Sequence, residues 1–93
     1  MEFLVQIEIV LPPDLDQERR SALYSAEADR AAELRRDGSI KRIWRVPGRR
    51  ANVGLWEAAD AGVLHEKLES LPLMDWMDID VTPLAPHPAE SGR

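Results

Sequence analysis

Residues 2–10 alternate without a break. Phe3, Val5, Ile7 and Ile9 form one face, and Leu4, Gln6, Glu8 and Val10 the other. A period of two describes a strand with one buried face and a mixed opposite face. Pro12-Pro13 stops it, and from there the period lengthens to that of a helix running to about Arg36. Asp14 or Asp16 is placed to cap its start, and Asp37-Gly38 ends it, with Arg35 and Arg36 suited to the negative end of the helix dipole. Residues 40–46 and 51–57 are again strand-like, and the short Pro47-Gly48-Arg49-Arg50 link makes them an antiparallel hairpin. A second helix is expected from Ala61 to Ser70, with Asp60 as its cap and Val63, Leu64 and Leu68 as its apolar side. Leu71-Pro72-Leu73 closes it. The last strand covers about Met77 to Thr82, with Met77, Ile79 and Val81 inward and Asp78, Asp80 and Thr82 outward.

That order is β-α-β-β-α-β. It predicts an α+β domain of the ferredoxin-like kind, a four-stranded antiparallel sheet with both helices on one face. At 93 residues the chain has room for one core only, placed here in residues 1–84. Residues 85–93 read as an irregular C-terminal tail, loose unless it docks on a neighbouring subunit. The sheet face away from the helices carries Gln6, Glu8, Asp78 and Asp80 among apolar groups. It is too polar for a core and too apolar to stand wholly bare, so the expectation is a subunit interface there. A small domain without disulfides or metals is often stabilised in this way.

The absence of cysteine removes thiolate chemistry and leaves a cytoplasmic setting as the default. The apolar runs are too short to span a membrane, and no basic region precedes an apolar one at the start. A net charge of −5 argues against nucleic acid as a partner. The charge is unevenly spread. Between Arg35 and Arg50 seven basic residues face one acid, whereas between Glu57 and Asp80 seven acids face one lysine. The basic strip can attract a small anion, or it can dock on the acidic strip of another copy.

Within the first helix, Leu23, Glu27 and Leu34 fall on one line at ~100° per residue. A carboxylate between two core leucines faces the interior, where its pKa rises, and this is how a fold makes a general base. The competing reading pairs Glu27 with Arg30, or with Arg20, on a helix flank, where such a pair implies no chemistry. The hairpin is the second candidate. Arg45, Arg49 and Arg50 can clamp a carboxylate, Asn52 can bond a lactone or acid oxygen, and Trp44 and Trp56 can form a flat apolar wall. Against this, exposed strand arginines usually only guard an edge, and tryptophans in small domains are usually core or interface. His65 and His87 stand apart without a set of companion ligands, so no metal site is expected. Nor is there a glycine-rich phosphate loop.

Taken in order, several short motifs resemble one family, that of muconolactone isomerase. They are Leu11-Pro12 with Asp14 and Asp16, Glu27, Gly38, Ile43-Trp44-Arg45, Gly48, Ala51-Asn52, Leu64-His65, Leu71-Pro72-Leu73, Met77-Asp78-Ile79 and His87-Pro88. The similarity runs from Met1 to about Pro88. It implies a cofactor-free isomerase of catechol breakdown through the β-ketoadipate route. Such an enzyme moves a proton from C4 to C2 of muconolactone to give 3-oxoadipate enol-lactone. On that resemblance Glu27 is the single base, and Arg45 or Asn52 is the donor to the lactone carbonyl. Tyr24, Trp44, Arg49, Arg50 and Trp56 contact the small anionic lactone. The resemblance also implies dimer-based homo-oligomers, a decamer among them.

The sequence departs from close family members at Tyr24, where they have lysine, and at Arg49-Arg50, where they have His-Tyr. Ser39-Ile40 replaces a more aromatic pair, and Leu4 and Gln6 replace more polar residues. Arg49 or Arg50 is therefore the expected substitute for the lysine missing at Tyr24. The alternatives are action on a related lactone, such as loss of chloride from a chlorinated one, or a non-catalytic anion-binding or assembly module. Fold alone does not choose among them. An oxygen-using enzyme of similar fold finds no support in the residues.

Overall fold

A computed structural model describes residues 1–91, with the following elements in order. Strand β1 is Glu2–Ile9, helix α1 Gln17–Arg36, β2 Ile40–Arg45, β3 Ala51–Glu57, helix α2 Ala61–Glu69 and β4 Met77–Leu84. The four strands form one sheet in the order β2-β3-β1-β4, every neighbouring pair antiparallel. This is the expected ferredoxin-like arrangement. The expected boundaries hold to within two residues, apart from the extra 3-10 turn at Met74–Trp76 that leads into β4.

Local chemistry fixes the ends of the elements. Of the two aspartates offered as caps for α1, Asp16 is the one used, its carboxylate accepting the Arg19 amide N–H at 2.8 Å. Asp60 does the same for α2 with the Val63 amide at 2.8 Å. Arg35 does more than face the helix dipole. Its guanidinium donates to the Ile40 carbonyl at 3.2 Å and to that of Lys41, tying the end of α1 to the start of β2. There β2 is irregular against β3, the register jumping between Ile40 and Arg42. Gly38 and Gly48 adopt φ of +84° and +78°, a region open to glycine, and both close turns beside the basic strip.

The core lies between the helices and one sheet face. Phe3, Val5 and Ile7 of β1 meet Ile40, Trp56, Leu34 of α1, Leu64 and Leu68 of α2, and Leu71. Helix α1 buries only Leu34 fully, leaving Leu23 and Glu27 half-buried. One expectation fails at β4. Val81 shares the inward side with Met77 and Ile79 and pairs with Val5, yet it is 41% exposed. The reason is position: β4 is an edge strand, with a neighbouring strand on one side only. In the tail, Pro88–Ser91 forms a short 3-10 turn, and the Ala89 amide donates to His87 Nδ1 at 3.0 Å. The tail's last two residues, Gly92 and Arg93, lie outside the described residues. No helix among the described residues is long and apolar enough to cross a membrane.

Candidate active site

The hairpin and α1 enclose a cleft made of two adjoining chambers. The outer one, about 380 Å³, is lined by Ile9, Tyr24, Ile43, Trp44, Arg45, Arg50, Ala51 and Asn52. The inner one, about 200 Å³, is walled mainly by Ile7, Ile9, Ala28, Ala31, Ile40, Ile43, Trp56, Leu71 and Met77, with Tyr24, Glu27 and Asn52 among them. Ile9, Tyr24, Ile43 and Asn52 border both chambers, which makes them two parts of one cleft.

Strand alternation explains who meets whom. In the β2–β3 register Ile43 opposes Gly54 and Arg45 opposes Asn52. These four share the helix-facing side with Trp56, which opposes buried Phe3. Trp44 alternates to the other side. It borders the outer chamber from the sheet edge, 45% exposed, with the Arg42 guanidinium 5.0 Å from its ring centroid.

Glu27 points into the inner chamber. Its Oε1 accepts the backbone N–H of Leu73 at 3.0 Å, and no ion pair among the described residues reaches it. Burial raises its pKa, and the Leu73 N–H, which favours the charged form, offsets this only in part. The helix-flank reading loses its partner. Arg30 instead donates to Ser70 at 2.9 Å and lies 3.8 Å from Glu33. The pair of arginines after Gly48 is split between the faces of the sheet. Arg50 donates to the Tyr24 hydroxyl at 3.2 Å inside the cleft. Arg49 crosses to the open face, donates to Glu8 at 3.1 Å, and lies beside Gln6, Val53, Asp78 and Asp80. The Arg45 guanidinium makes no ion pair or hydrogen bond among the described residues. The outer chamber therefore holds two guanidinium groups with no carboxylate partner among the described residues.

Two buried polar atoms of residues lining the inner chamber also lack a hydrogen-bond partner among the described residues, Asn52 Oδ1 and Trp56 Nε1. An unmet buried polar group costs about 1–3 kcal/mol, so such atoms in a cleft wall ask what they are for. Two features are not legible as site features. The Leu73 amide carries no side-chain signal, and Ile43 figures only as part of a motif. Trp56, expected as an apolar wall and a substrate contact, borders the inner chamber. Among the described residues no His, Cys, Asp or Glu cluster could hold a metal ion.

The arrangement suits proton transfer: a carboxylate of raised pKa lies in a largely apolar chamber, and two guanidinium groups border the chamber beside it. Comparison with known proteins points the same way. Residues 1–90 match the family model described as Muconolactone delta-isomerase. The chain is 36% identical over 89 residues to a Muconolactone Delta-isomerase of Pseudomonas aeruginosa, covering 96% of this chain and 93% of that protein. It is 35% identical over 85 residues to one of Rhodococcus opacus, covering 91% of each. The crystal structure of a muconolactone isomerase superposes with a TM-score of 0.90 at 35% identity, over 96% of this chain and 93% of that one. A match over nearly the whole length in both sequence and fold, around a cleft suited to proton transfer, makes this chain a member of the muconolactone delta-isomerase family.

Proposed function

We propose that this isomerase moves a proton from C4 to C2 of muconolactone, or of a closely related lactone, with Glu27 as the only base and without a cofactor. Glu27 takes the proton from C4, and the electron pair of that C–H bond runs through the ring onto the lactone carbonyl oxygen. The same carboxyl then returns the proton to C2, leaving the double bond shifted and Glu27 ionised again. No electrons are gained or lost overall, so the chemistry calls for a base and an oxyanion donor rather than a redox carrier. Asn52, which borders both chambers, is placed to donate to the carbonyl oxygen. Arg45 and Arg50 receive the carboxylate arm, Arg50 held by Tyr24.

One observation carries this reading: Glu27, its pKa raised by burial, shares a cleft with two unneutralised arginines. The rival picture of a non-catalytic anion-binding module has no use for a carboxylate in the inner chamber, where it repels the ligand. The test is disappearance of muconolactone with wild type and Glu27→Gln. A fall of about 10²–10⁴-fold in turnover is expected. Equal turnover by the two proteins takes Glu27 out of the mechanism, and no turnover by wild type moves the substrate to another lactone.

The open sheet face supports a second part of the proposal, a homo-oligomer built on it. Leu4, Val53 and Leu55 are only half covered within the subunit, beside the Arg49–Glu8 pair and Asp78 and Asp80. That mixture suits contact with a second copy of the chain.

A further inference from the structure

Strand β3 sets Asn52, Gly54 and Trp56 on its helix-facing side, with the bare backbone of Gly54 between the two larger residues. The Trp56 ring leans back over that gap. A Cβ added at Gly54 would stand 2.7 Å from Trp56 Nε1 and 3.0 Å from its Cδ1, so the indole N–H edge occupies the space a side chain would fill. Trp56 is 1% exposed, its ring borders the inner chamber, and its Nε1–H has no acceptor among the described residues. Asn52, on the other side of the gap, borders the same chamber with its own unpartnered oxygen.

Buried indoles normally find an acceptor, and this one, on a residue that borders the chamber, has none among the described residues. We infer that the Trp56 Nε1–H donates to the lactone carbonyl oxygen, beside Asn52, and that Gly54 stays bare to let it. This rests on the proton-shift reading above, because the carbonyl oxygen is where the electron pair from the broken C4–H bond arrives. In the free chain the N–H is shut off from water. It gains its partner when the lactone binds at the Trp56 end of the chamber. A donor unpaired in the free enzyme and aimed at the developing oxyanion acts mainly on the chemical step.

The test uses the full chain with muconolactone. Trp56→Phe removes the N–H together with part of the ring. The pair Gly54→Ala with Trp56→Phe refills the vacated space, since the added Cβ no longer meets an indole nitrogen. Both are expected to lower kcat by about 10²-fold with little change in KM, while the double variant melts above the single one. In ¹⁵N-labelled Glu27→Gln protein, the Trp56 indole N–H resonance, assigned by its loss in a Trp56→Phe background, is expected to move downfield as muconolactone is added. Recovery of wild-type kcat by the double variant overturns the inference, leaving Trp56 a packing residue. So does an indole resonance that stays in place at saturation. Failure of the base reading looks different: Glu27→Gln would then turn over substrate whatever the indole does.

Discussion

Glu27 Oε1 and the amide N–H of Leu73 are 3.0 Å apart although 46 residues separate them in the chain. The bond fixes the carboxylate in the chamber and lowers its pKa, while the apolar surroundings raise it, and burial is the larger effect. The balance matters for catalysis. A base must be ionised to act, yet basic enough to take a proton from carbon.

A pKa raised on folding means that the folded chain favours the protonated carboxyl. Its contribution to stability is complete below the ordinary glutamate value and is lost as pH rises through the folded value. Glu27 therefore weakens the fold at neutral pH. Glu27→Gln, which keeps an oxygen for the Leu73 amide, should unfold at higher urea than wild type at neutral pH, and the gap should close on acidification. Urea titrations at several pH values check this. A gap that ignores pH, or one of opposite sign, refutes it. For activity, kcat/KM of the wild type should rise with pH through a midpoint above the ordinary glutamate value.

Arg49 and Arg50 are neighbours in sequence with opposite assignments. Losing a charge-assisted contact to substrate costs about 1.5–3 kcal/mol, so Arg50→Leu should raise KM for muconolactone roughly 10- to 100-fold. Tyr24→Phe, which frees Arg50, should raise it by a smaller factor. Arg49→Leu breaks only an exposed pair with Glu8 and should leave KM within about twofold. Steady-state kinetics on the three variants decide the matter. Equal damage from the Arg49 and Arg50 variants contradicts the assignment.

Gly54 has an ordinary backbone conformation but no room for a side chain. Gly54→Ala alone drives a methyl to 2.7 Å from the Trp56 ring nitrogen. Overpacking of this kind costs about 1–3 kcal/mol, and thermal melts should show it. A variant as stable as wild type would mean that the ring moves aside freely.

For the sheet face, Leu55→Glu adds a further acid to the side that carries Glu8, Asp78 and Asp80, without touching the cleft. Sedimentation velocity should show a multimer for the wild type and a smaller species for the variant. An unchanged mass for the variant, or a wild type that is monomeric throughout, refutes an interface there.

Much of the fold is legible in the sequence because its signals are local. Alternation in residues 2–10, the caps Asp16 and Asp60, and the glycine turns at Gly38 and Gly48 each act within a few residues. The site is less so, because it is assembled across the sheet. Helical spacing turned Glu27 toward the core but could not name Leu73 as its partner, since a backbone donor leaves no trace in residue type. Adjacent Arg49 and Arg50 read alike until the hairpin turn sends one to each side. Val81 follows the alternation faithfully and is exposed all the same, because alternation gives the face and says nothing about where cover ends.

The segment that supplies the Leu73 amide is neither helix nor strand. It is the join between α2 and the short 3-10 turn, anchored by buried Leu71 and Leu73. Any change that moves this join, even one on the far side of α2, lengthens or bends the bond to Glu27 and makes the carboxylate a stronger base. The fold thus ties proton affinity to the chamber wall itself, because Leu71, part of the join, also lines the inner chamber. A change at the join alters the carboxylate and the space beside it together, whereas a change at Arg45 or Arg50 in the outer chamber leaves the Leu73 bond alone.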